Sequence, residues 1–290
     1  MSRVHIKEGI AKALFVAAAG ISILAVALIC VFLFANGVPA IAQIGLPEFL
    51  FGTTWRPAND IYGIFPMIVG SVYVTAGAMG GGVPTGLLCA IFLSRFASGK
   101  IAAVLKPGVE LLAGIPSVVY GFFGLVIIVP FIRANAPADA PGNGLSLLAA
   151  AVLLGVMILP TIITVAQSAL DAVPKKYYEG ALALGADHER TVFRVIVPAA
   201  VSGIMAAVVL GVGRAIGETM AVIMVAGNQT LIPESIFSGV RTMTANIVLE
   251  MGYAADLHRG ALVATGVVLF VFVLLITMLF NVIKKRGEMK

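Results

Sequence analysis

Residues 177–228 read YYEGALALGADHERTVFRVIVPAAVSGIMAAVVLGVGRAIGETMAVIMVAGN and join two kinds of sequence without a linker. The part up to Pro198 is rich in charged residues, whereas the part after it is apolar except for Arg214 and Glu218. The first part predicts a polar loop of short helices, and the second predicts a membrane-spanning helix with two charges inside it. We interpret the rest of the chain as the helices that surround this loop and this charged helix.

The composition of the whole chain is typical of a membrane protein. Hydrophobic residues make up 60% of the 290 residues and charged residues 11%, whereas a soluble domain carries about 25% charged residues. The predicted fold class is therefore an all-α polytopic membrane protein, with residues 1–290 forming a single transmembrane domain. Six spans are predicted, at about 13–35, 65–92, 111–132 and 145–165, then one starting at Ala199 and one at about Ala261.

Glycine and proline residues predict irregularities in these spans. The GGGVP string at 80–84 predicts a break in the second span, tolerated only where protein or water satisfies the freed backbone groups. Pro116 is expected to kink or break the third span. Residues 36–64 are predicted to form a loop in which Trp55 and Tyr62 act as interfacial anchors.

The distribution of lysine and arginine predicts the orientation in the membrane. Fourteen of the 19 basic residues lie in the N-terminal segment, the 95–106 link, the 168–198 loop and the C-terminal tail, and four lie in the alternate loops. The positive-inside rule then places both termini and the 168–198 loop in the cytoplasm. The loops at 36–64 and 228–260 are expected on the periplasmic side of a cell inner membrane. Arg214 belongs to neither set.

Several other functions are not indicated. The net charge of +5 is attributed to topology, and no aromatic-interleaved basic patch predicts a nucleic-acid partner. Cys30 and Cys89 are interpreted as packing thiols, and the three histidines are too far apart in sequence to indicate a metal site. No nucleophile–base pair or pair of catalytic carboxylates is found, so the chain is not expected to be an enzyme.

Residues 174–198 are predicted to fold as two short helices around a glycine hinge. Pro174 suits the first turn of a helix, Gly185 can adopt the left-handed conformation that ends it, and Asp187 can cap the next helix. Two interpretations remain open for this segment. It is either a solvated connector or a helix pair whose apolar surface docks into the groove of a partner.

The string EGALALG, from residue 179, is followed after nine residues by VIVP and resembles the EAA loop of ABC-transporter permeases. Gly180 and Val197 depart mildly from the usual alanine and leucine. In that family the loop docks into a cleft on the ATPase subunit and transmits its motion. The resemblance therefore implies a coupling role for Tyr178, Glu179, Ala181, Leu182, Gly185, Ala186 and Pro198.

Two charges lie deep in the fifth predicted span. Counted from Ala199, Arg214 is about 22 Å and Glu218 about 28 Å along a helix, and a spacing of four residues gives them one shared face. The planar fork of an arginine suits a tetrahedral oxyanion, and Glu218 is expected either to orient Arg214 or to keep binding loose. Gly211, Gly213 and Gly217 predict a small-residue face for close packing. The alternative is an ion pair that only fastens helices together.

The strings GVGRAIGETMAVIMVAGN at 211–228 and LAGIPSVVYGFFGLVIIVP at 112–130 resemble the PstC-type permeases of phosphate ABC transporters. The resemblance covers about residues 60–285 and implies a type I, MetI-like importer fold. It implies that phosphate passes the charged positions Arg214 and Glu218, with Thr219 and Ser117 as further candidates for the pathway. The implied partners are a second, PstA-like permease, two PstB-like ATPase subunits and a PstS-like periplasmic phosphate-binding protein.

The energetics of uptake also require a partner. Moving an anion toward a negative interior costs about 2.3 kcal/mol per charge per 100 mV, and the chain contains no GxxxxGK[ST] motif. ATP and magnesium are therefore expected on the partner ATPase, with no cofactor in this chain, and ATP-driven alternating access is the expected mechanism. Three alternatives remain: a permease for sulfate or molybdate, an ion-coupled secondary carrier, and a structural scaffold.

Overall fold

A computed structural model describes residues 3–137 and 143–288 of the protein. Part of the link at 133–144 and Lys290 of the basic tail lie outside the described residues. The helices are α1 (Arg3–Ile44), α2 (Leu46–Phe51), α3 (Phe65–Ile91), α4 (Gly99–Gly114), α5 (Ser117–Phe123), α6 (Val129–Asn135), α7 (Leu147–Asp171), α8 (Lys175–Ala183), α9 (His188–Thr191), α10 (Val197–Ala199), α11 (Val201–Gly217), α12 (Met220–Val225), α13 (Met243–Met251) and α14 (Asp256–Glu288). A two-stranded antiparallel hairpin, β1 (Trp55–Arg56) and β2 (Ile61–Tyr62), lies between α2 and α3.

Within the described residues, five helical segments are long and apolar enough to cross a membrane. They are Ala11–Ile44, Phe65–Phe96, Ser117–Asn135, Leu147–Asp171 and Asp256–Phe280. The segments His188–Ala199 and Val201–Gly217, bent by 69° where they meet, make a sixth if they are counted as one span. The prediction of about six spans in an all-α membrane protein is therefore confirmed.

α7 is the central helix of the bundle. In its most apolar window 61% of the residues are buried, whereas none are buried in the corresponding window of α1. α7 packs against α3 on one side and α11 on another, while α1 packs on α14 at the periphery. α7 is therefore enclosed by other helices of the chain, whereas α1 is not.

The predicted break at 80–84 is wrong, because α3 continues without interruption through these residues. Gly82, and Gly86 one turn further along α3, permit close packing against α7. A Cβ placed on Gly82 would lie 2.7 Å from Ile158 Cδ1, and one on Gly86 would lie 2.9 Å from Ile162 Cγ2. Neighbouring α7 side chains occupy the volume that larger residues would need.

A leucine at Gly82 should therefore destabilise the protein, and a leucine at Gly80 should not. A Cβ on Gly80 has no neighbour within 4 Å, whereas overpacking a filled site such as Gly82 costs about 1–3 kcal/mol. We expect the Gly82→Leu chain, purified in detergent, to unfold several degrees below the Gly80→Leu chain. Equal midpoints of thermal unfolding for the two variants would contradict the packing role of Gly82.

The prediction that Pro116 breaks the third span is confirmed. α4 ends at Gly114, Ile115 and Pro116 are extended, and α5 begins at Ser117. The membrane-spanning segment therefore begins at residue 117 and not at 111, and it continues to Asn135. The hydroxyl of Tyr120 donates to the carbonyl of Leu112 at 2.8 Å, which fastens the two helices across the break.

The predicted loop at 36–64 is largely ordered secondary structure. α1 continues to Ile44, and α2 and the hairpin follow it. Trp55 and Tyr62 are 5% and 2% exposed, so their predicted role as interfacial anchors is wrong. Burial, aided by a hydrogen bond to Asp60, raises the pKa of Tyr62 to about 12.

A buried carboxylate explains why these aromatic residues face inward. Glu250 on α13 accepts hydrogen bonds from Trp55 Nε1 at 2.9 Å and from Arg241 Nη1 at 2.5 Å, and it contacts His258 Nε2 at 2.9 Å. This cluster joins the hairpin, the loop after α12 and the start of α14. It closes the end of the bundle opposite to residues 174–198.

Candidate transport path and coupling surface

The helix that carries Arg214 ends earlier than the sequence predicts. α11 stops at Gly217, and Glu218 is extended, with φ −69° and ψ 131°. The prediction that Arg214 and Glu218 share one helical face is therefore wrong. Among the residues that the structure describes, the two charges form no ion pair, so the ion pair of the helix-fastening alternative is not observed.

Glu218 instead organises the break between α11 and α12. Its Oε1 accepts hydrogen bonds from the backbone N–H groups of Thr219 at 3.1 Å and Ala221 at 3.2 Å. Its carbonyl accepts from Thr244 Oγ1 at 3.2 Å. A carboxylate at a helix N-terminus satisfies amide groups that have no partner within the helix and interacts favourably with their partial positive charge. Direct orientation of Arg214 by Glu218 is not observed.

Arg214 is half-buried, and its guanidinium contacts α7. Nη1 donates to Thr161 Oγ1 at 3.2 Å, the one hydrogen bond of this side chain within residues 3–137 and 143–288. A guanidinium has five N–H donors, so most of them remain available to an anion. Thr161 was not predicted from the sequence; the available signal was that it is the first polar residue of α7 and directly follows Pro160.

The other two pathway candidates lie near the breaks in the helices. Thr219 is at the α11–α12 break, where its hydroxyl donates to the carbonyl of Gly217 at 3.2 Å. Ser117 is half-buried at the first position of α5. α5 packs closely on α12, since a Cβ on Gly121 would lie 3.0 Å from Ala221 Cα. The break before α5 and the break between α11 and α12 therefore lie at the starts of two helices that pack against each other. The roles of the individual residues remain predictions.

The predicted small-residue face of α11 is only partly correct. A Cβ on Gly211 would lie 2.9 Å from Ile162 Cγ1, so this glycine permits close approach to α7. Gly213 and Gly217 have open space around the corresponding positions, with no neighbour within 4 Å in the described residues. Both are exposed on the surface of α11.

The segment 174–198, called the coupling loop below, folds as predicted. Pro174 immediately precedes α8, Gly185 has a φ of +85°, and Asp187 Oδ1 accepts from the Arg190 N–H at 2.7 Å to cap α9. Pro198 lies in α10, just before the bend into α11. The prediction of two short helices around a glycine hinge is therefore confirmed.

The coupling loop exposes an apolar surface. Leu184 is 91% exposed, and Tyr177 and Leu182 are also exposed. Among the residues matched to the EAA motif, Glu179 is exposed, whereas Ala181 and Ala186 are half-buried. Nothing in the described chain covers the apolar side chains at this tip, and a protein partner would cover them at a gain in free energy.

Tyr178 points away from that surface and connects the coupling loop to residues 92–96, the helical segment that continues α3. Its hydroxyl lies 2.8 Å from His188 Nδ1, and His188 Nε2 lies 3.1 Å from the carbonyl oxygen of Arg95. The ring of Phe96 contacts His188 with the centroids 4.9 Å apart. Displacement of α8 would therefore be transmitted to the end of α3. This contact of His188 could not be predicted from the sequence, because Arg95 lies 93 residues away.

These features define a polytopic helical membrane protein in which half-buried polar groups lie beside breaks in the membrane helices. The chain belongs to the family of binding-protein-dependent transport system inner membrane components, whose model matches residues 82–287. It is therefore a multi-pass membrane protein. The family assignment confirms the resemblance to ABC-transporter permeases inferred from the sequence.

Similar proteins extend this assignment over most of the chain. A probable ABC transporter permease protein, YqgH, of Bacillus subtilis (strain 168) is 41% identical over 278 residues, which cover 94% of this chain and 89% of the relative. The phosphate transport system permease protein PstC of Mesorhizobium japonicum is 36% identical over 265 residues, which cover 86% and 81%. In the inward-facing MetNI methionine ABC transporter, one chain matches with a TM-score of 0.56 at 23% identity, covering 78% of this chain and 94% of that one. The last match shows the fold alone and confirms the predicted MetI-like architecture.

Proposed function

We propose that this chain is one of two permease subunits of an ATP-driven importer of inorganic phosphate. The observation that carries the proposal is the half-buried guanidinium of Arg214, which lies in the last turn of α11, inside a membrane-spanning segment, with most of its donors uncommitted. A charge at that depth is costly unless it faces protein or a polar path. The 36% identity to a phosphate permease supports phosphate as the anion.

The proposed assembly contains the partners that the family resemblance implies. A second, PstA-like permease completes the path, two PstB-like ATPase subunits hold ATP and magnesium, and a PstS-like protein delivers phosphate. Residues 1–290 act as one transmembrane permease domain with its core at 60–285, bind no cofactor and catalyse no reaction themselves. Both termini and the coupling loop face the cytoplasm, as the basic residues predict.

In the proposed mechanism, ATP-driven closure of the ATPase pair moves the coupling loop and with it the helices that surround Arg214. Two contacts support this route. The bend after Pro198 connects the loop directly to α11, and the Tyr178–His188 hydrogen bond connects it to α3. Arg214 is thereby exposed alternately to the two sides of the membrane, with Glu218, Thr219 and Ser117 near the path.

Reconstitution tests this function. The chain is purified with the proteins that associate with it, placed in vesicles, and supplied with radiolabelled phosphate, binding protein and internal ATP. We expect phosphate uptake that stops when ATP is replaced by a non-hydrolysable analogue and persists in excess sulfate or molybdate. Uptake without an ATPase would identify a secondary carrier, and uptake of sulfate or molybdate in place of phosphate would contradict the substrate assignment.

A further inference from the structure

The polar residues of α7 are confined to one half of the helix. Its first fourteen residues, 147–160, contain no polar side chain, whereas the remaining eleven contain Thr161, Thr164, Gln167, Ser168 and Asp171. Polarity therefore begins at Thr161, the residue that accepts the hydrogen bond from Arg214. Hydroxyl, amide and carboxylate groups are unfavourable on a membrane helix unless they face protein partners or water.

These five residues also share one face of α7. At 100° per residue they fall within an arc of about 120°. We call this face, from Thr161 to Asp171, the polar stripe. On the N-terminal side of Thr161 the same face carries Ala150, Leu153 and Met157, each at most 1% exposed. The face is thus packed and apolar on one side of Arg214 and polar on the other.

Packing from α12 and the segment after α5 closes the apolar half. A Cβ on Gly124 would lie 3.0 Å from Leu153 Cδ2 and 2.9 Å from Val225 Cγ1, so α7, α12 and this segment touch there. Within the described residues, a polar route along this face of α7 therefore runs from Arg214 only toward the end of the bundle that carries the coupling loop. That end is cytoplasmic in the orientation proposed above.

A cavity lies against the C-terminal part of the polar stripe, residues 164–171. It has a volume of about 210 Å³ and is lined by Thr164, Gln167, Ser168 and Asp171 of α7 and by Lys106 and Glu110 of α4 on the other side. A tetrahedral oxyanion with part of its hydration shell fits such a volume. The cavity lies between the Arg214–Thr161 contact and the end of α7, which is where an anion leaving Arg214 would pass.

The charges in this cavity suit transit more than tight binding. Asp171 is engaged by Ser94 Oγ at 2.5 Å and by Gln167 Nε2 at 3.4 Å. Lys106 and Glu110 are exposed, stand one turn apart on α4 and form no ion pair in the part of the chain that the structure describes. The lining therefore combines hydroxyl and amide groups with one cation, Lys106, and two carboxylates, Glu110 and Asp171. The carboxylates oppose retention of an anion, and conduction requires binding weak enough to permit release.

We propose that Thr161 is a second ligand for the anion beside Arg214, and that the polar stripe with Lys106 is its cytoplasmic exit path. This inference rests on the proposed function, because phosphate is the anion it assigns. The hydroxyl of Thr161 accepts from Arg214 and keeps its own proton, which it can donate to a phosphate oxygen. The same side chain therefore both positions the guanidinium and contacts the substrate.

The first test separates a ligand from a packing residue. Thr161→Val keeps the shape of the side chain and removes the hydroxyl, and we expect phosphate uptake by the complete importer to fall about tenfold, the effect of losing one hydrogen bond to a charged group. Thr161→Ser should retain uptake within about twofold of the unmodified importer, because the hydroxyl decides the effect. Thr277→Val on α14 removes a hydroxyl that donates to Val273 O, and it should leave uptake unchanged.

The second test uses the charges on α4. Lys106→Gln leaves carboxylates as the only charged groups in the lining of the cavity and should slow phosphate uptake about threefold at low salt. Glu110→Gln should not slow uptake. Lys100→Gln, at the far end of α4, should have no effect. If Lys106 and Glu110 mattered only as a surface pair on α4, replacing either one would have the same effect. Equal effects would contradict the exit path.

The reactivity of introduced cysteines tests directly whether the polar stripe is accessible from the cytoplasm. In the complete importer with Cys30 and Cys89 replaced by serine, Thr164→Cys and Ser168→Cys should react with an anionic, membrane-impermeant thiol reagent from the cytoplasmic side. Phosphate should slow the reaction. Ala166→Cys, at a position that is 0% exposed, should stay unlabelled. Suppose that the unmodified importer takes up phosphate, that phosphate does not slow the labelling, and that Thr161→Val takes up phosphate at the unmodified rate. These results would overturn this inference and leave the proposed function intact. An unmodified importer that takes up no phosphate would overturn the proposed function.

Discussion

Replacing Arg214 by leucine should reduce phosphate uptake at least 100-fold and leave the importer assembled. The variant loses a bidentate donor to an anionic ligand, worth about 3 kcal/mol, which is a factor of more than 100 in binding. The folded chain loses only the hydrogen bond to Thr161, so we expect little change in expression or in the amount of ATPase recovered with the chain. Uptake of radiolabelled phosphate into vesicles gives the first quantity, and co-purification gives the second.

Two further variants define the reason for the loss. Arg214→Lys keeps the positive charge but not the planar fork and should retain roughly a tenth of the uptake, between the leucine variant and the unmodified chain. Arg133→Leu removes an exposed guanidinium at the end of α6 and serves as the control. A leucine variant that failed to assemble would restore the interpretation of Arg214 as a residue that only fastens helices, and unchanged uptake would remove it from the path.

The features that the sequence predicted correctly depend on local chemistry. A positive φ at Gly185, a side-chain cap from Asp187 and a helix break at Pro116 each involve groups within a few residues of one another. Glycine, aspartate and proline restrict the backbone in the same way in many folds. The coupling loop is built from such signals, and for this reason its two helices can be placed from the sequence alone.

The features that it did not predict depend on distant partners. Glycine at residues 80–84 is compatible with a break or with close packing, and only the position of Ile158 on α7 decides between them. Trp55 is drawn inward by Glu250, which lies 195 residues away. Thr161 contacts Arg214 across 53 residues. None of these distances can be obtained from periodicity or local propensity.

Arg214 and Glu218 show a different limit of prediction from sequence. A spacing of four residues implies a shared face only if the helix continues, and here it ends at Gly217. The carboxylate of Glu218 competes successfully for the amide groups of Thr219 and Ala221 and begins a new helix. An acidic residue can thus end one helix by capping the next. The apolar pattern predicts one continuous helix and gives no indication that Glu218 caps a new one.

Replacing Leu184 by aspartate should abolish attachment of the ATPase without unfolding the chain. Leu184 is 91% exposed at the tip of the coupling loop, so its replacement removes almost no contact within the protein, and surface substitutions of this kind usually change stability by less than about 0.5 kcal/mol. In a partner's cleft the carboxylate would be buried without a counterion, at a cost of several kcal/mol. We expect at least a 100-fold loss of ATPase affinity, measured by binding to the immobilised chain.

Leu231 offers a matched control for this result. It is 65% exposed in the loop that follows α12, and in the proposed orientation it faces the periplasm. Leu231→Asp should therefore retain the ATPase, and Leu184→Met, which keeps an apolar side chain, should retain it as well. Full ATPase binding by Leu184→Asp would show that the tip remains in solvent, and the coupling loop would then be the solvated connector that the sequence also allows. Loss of binding in Leu184→Asp alone would place the ATPase contact at the hinge between α8 and α9, where movement passes directly to α11 and, through His188, to α3.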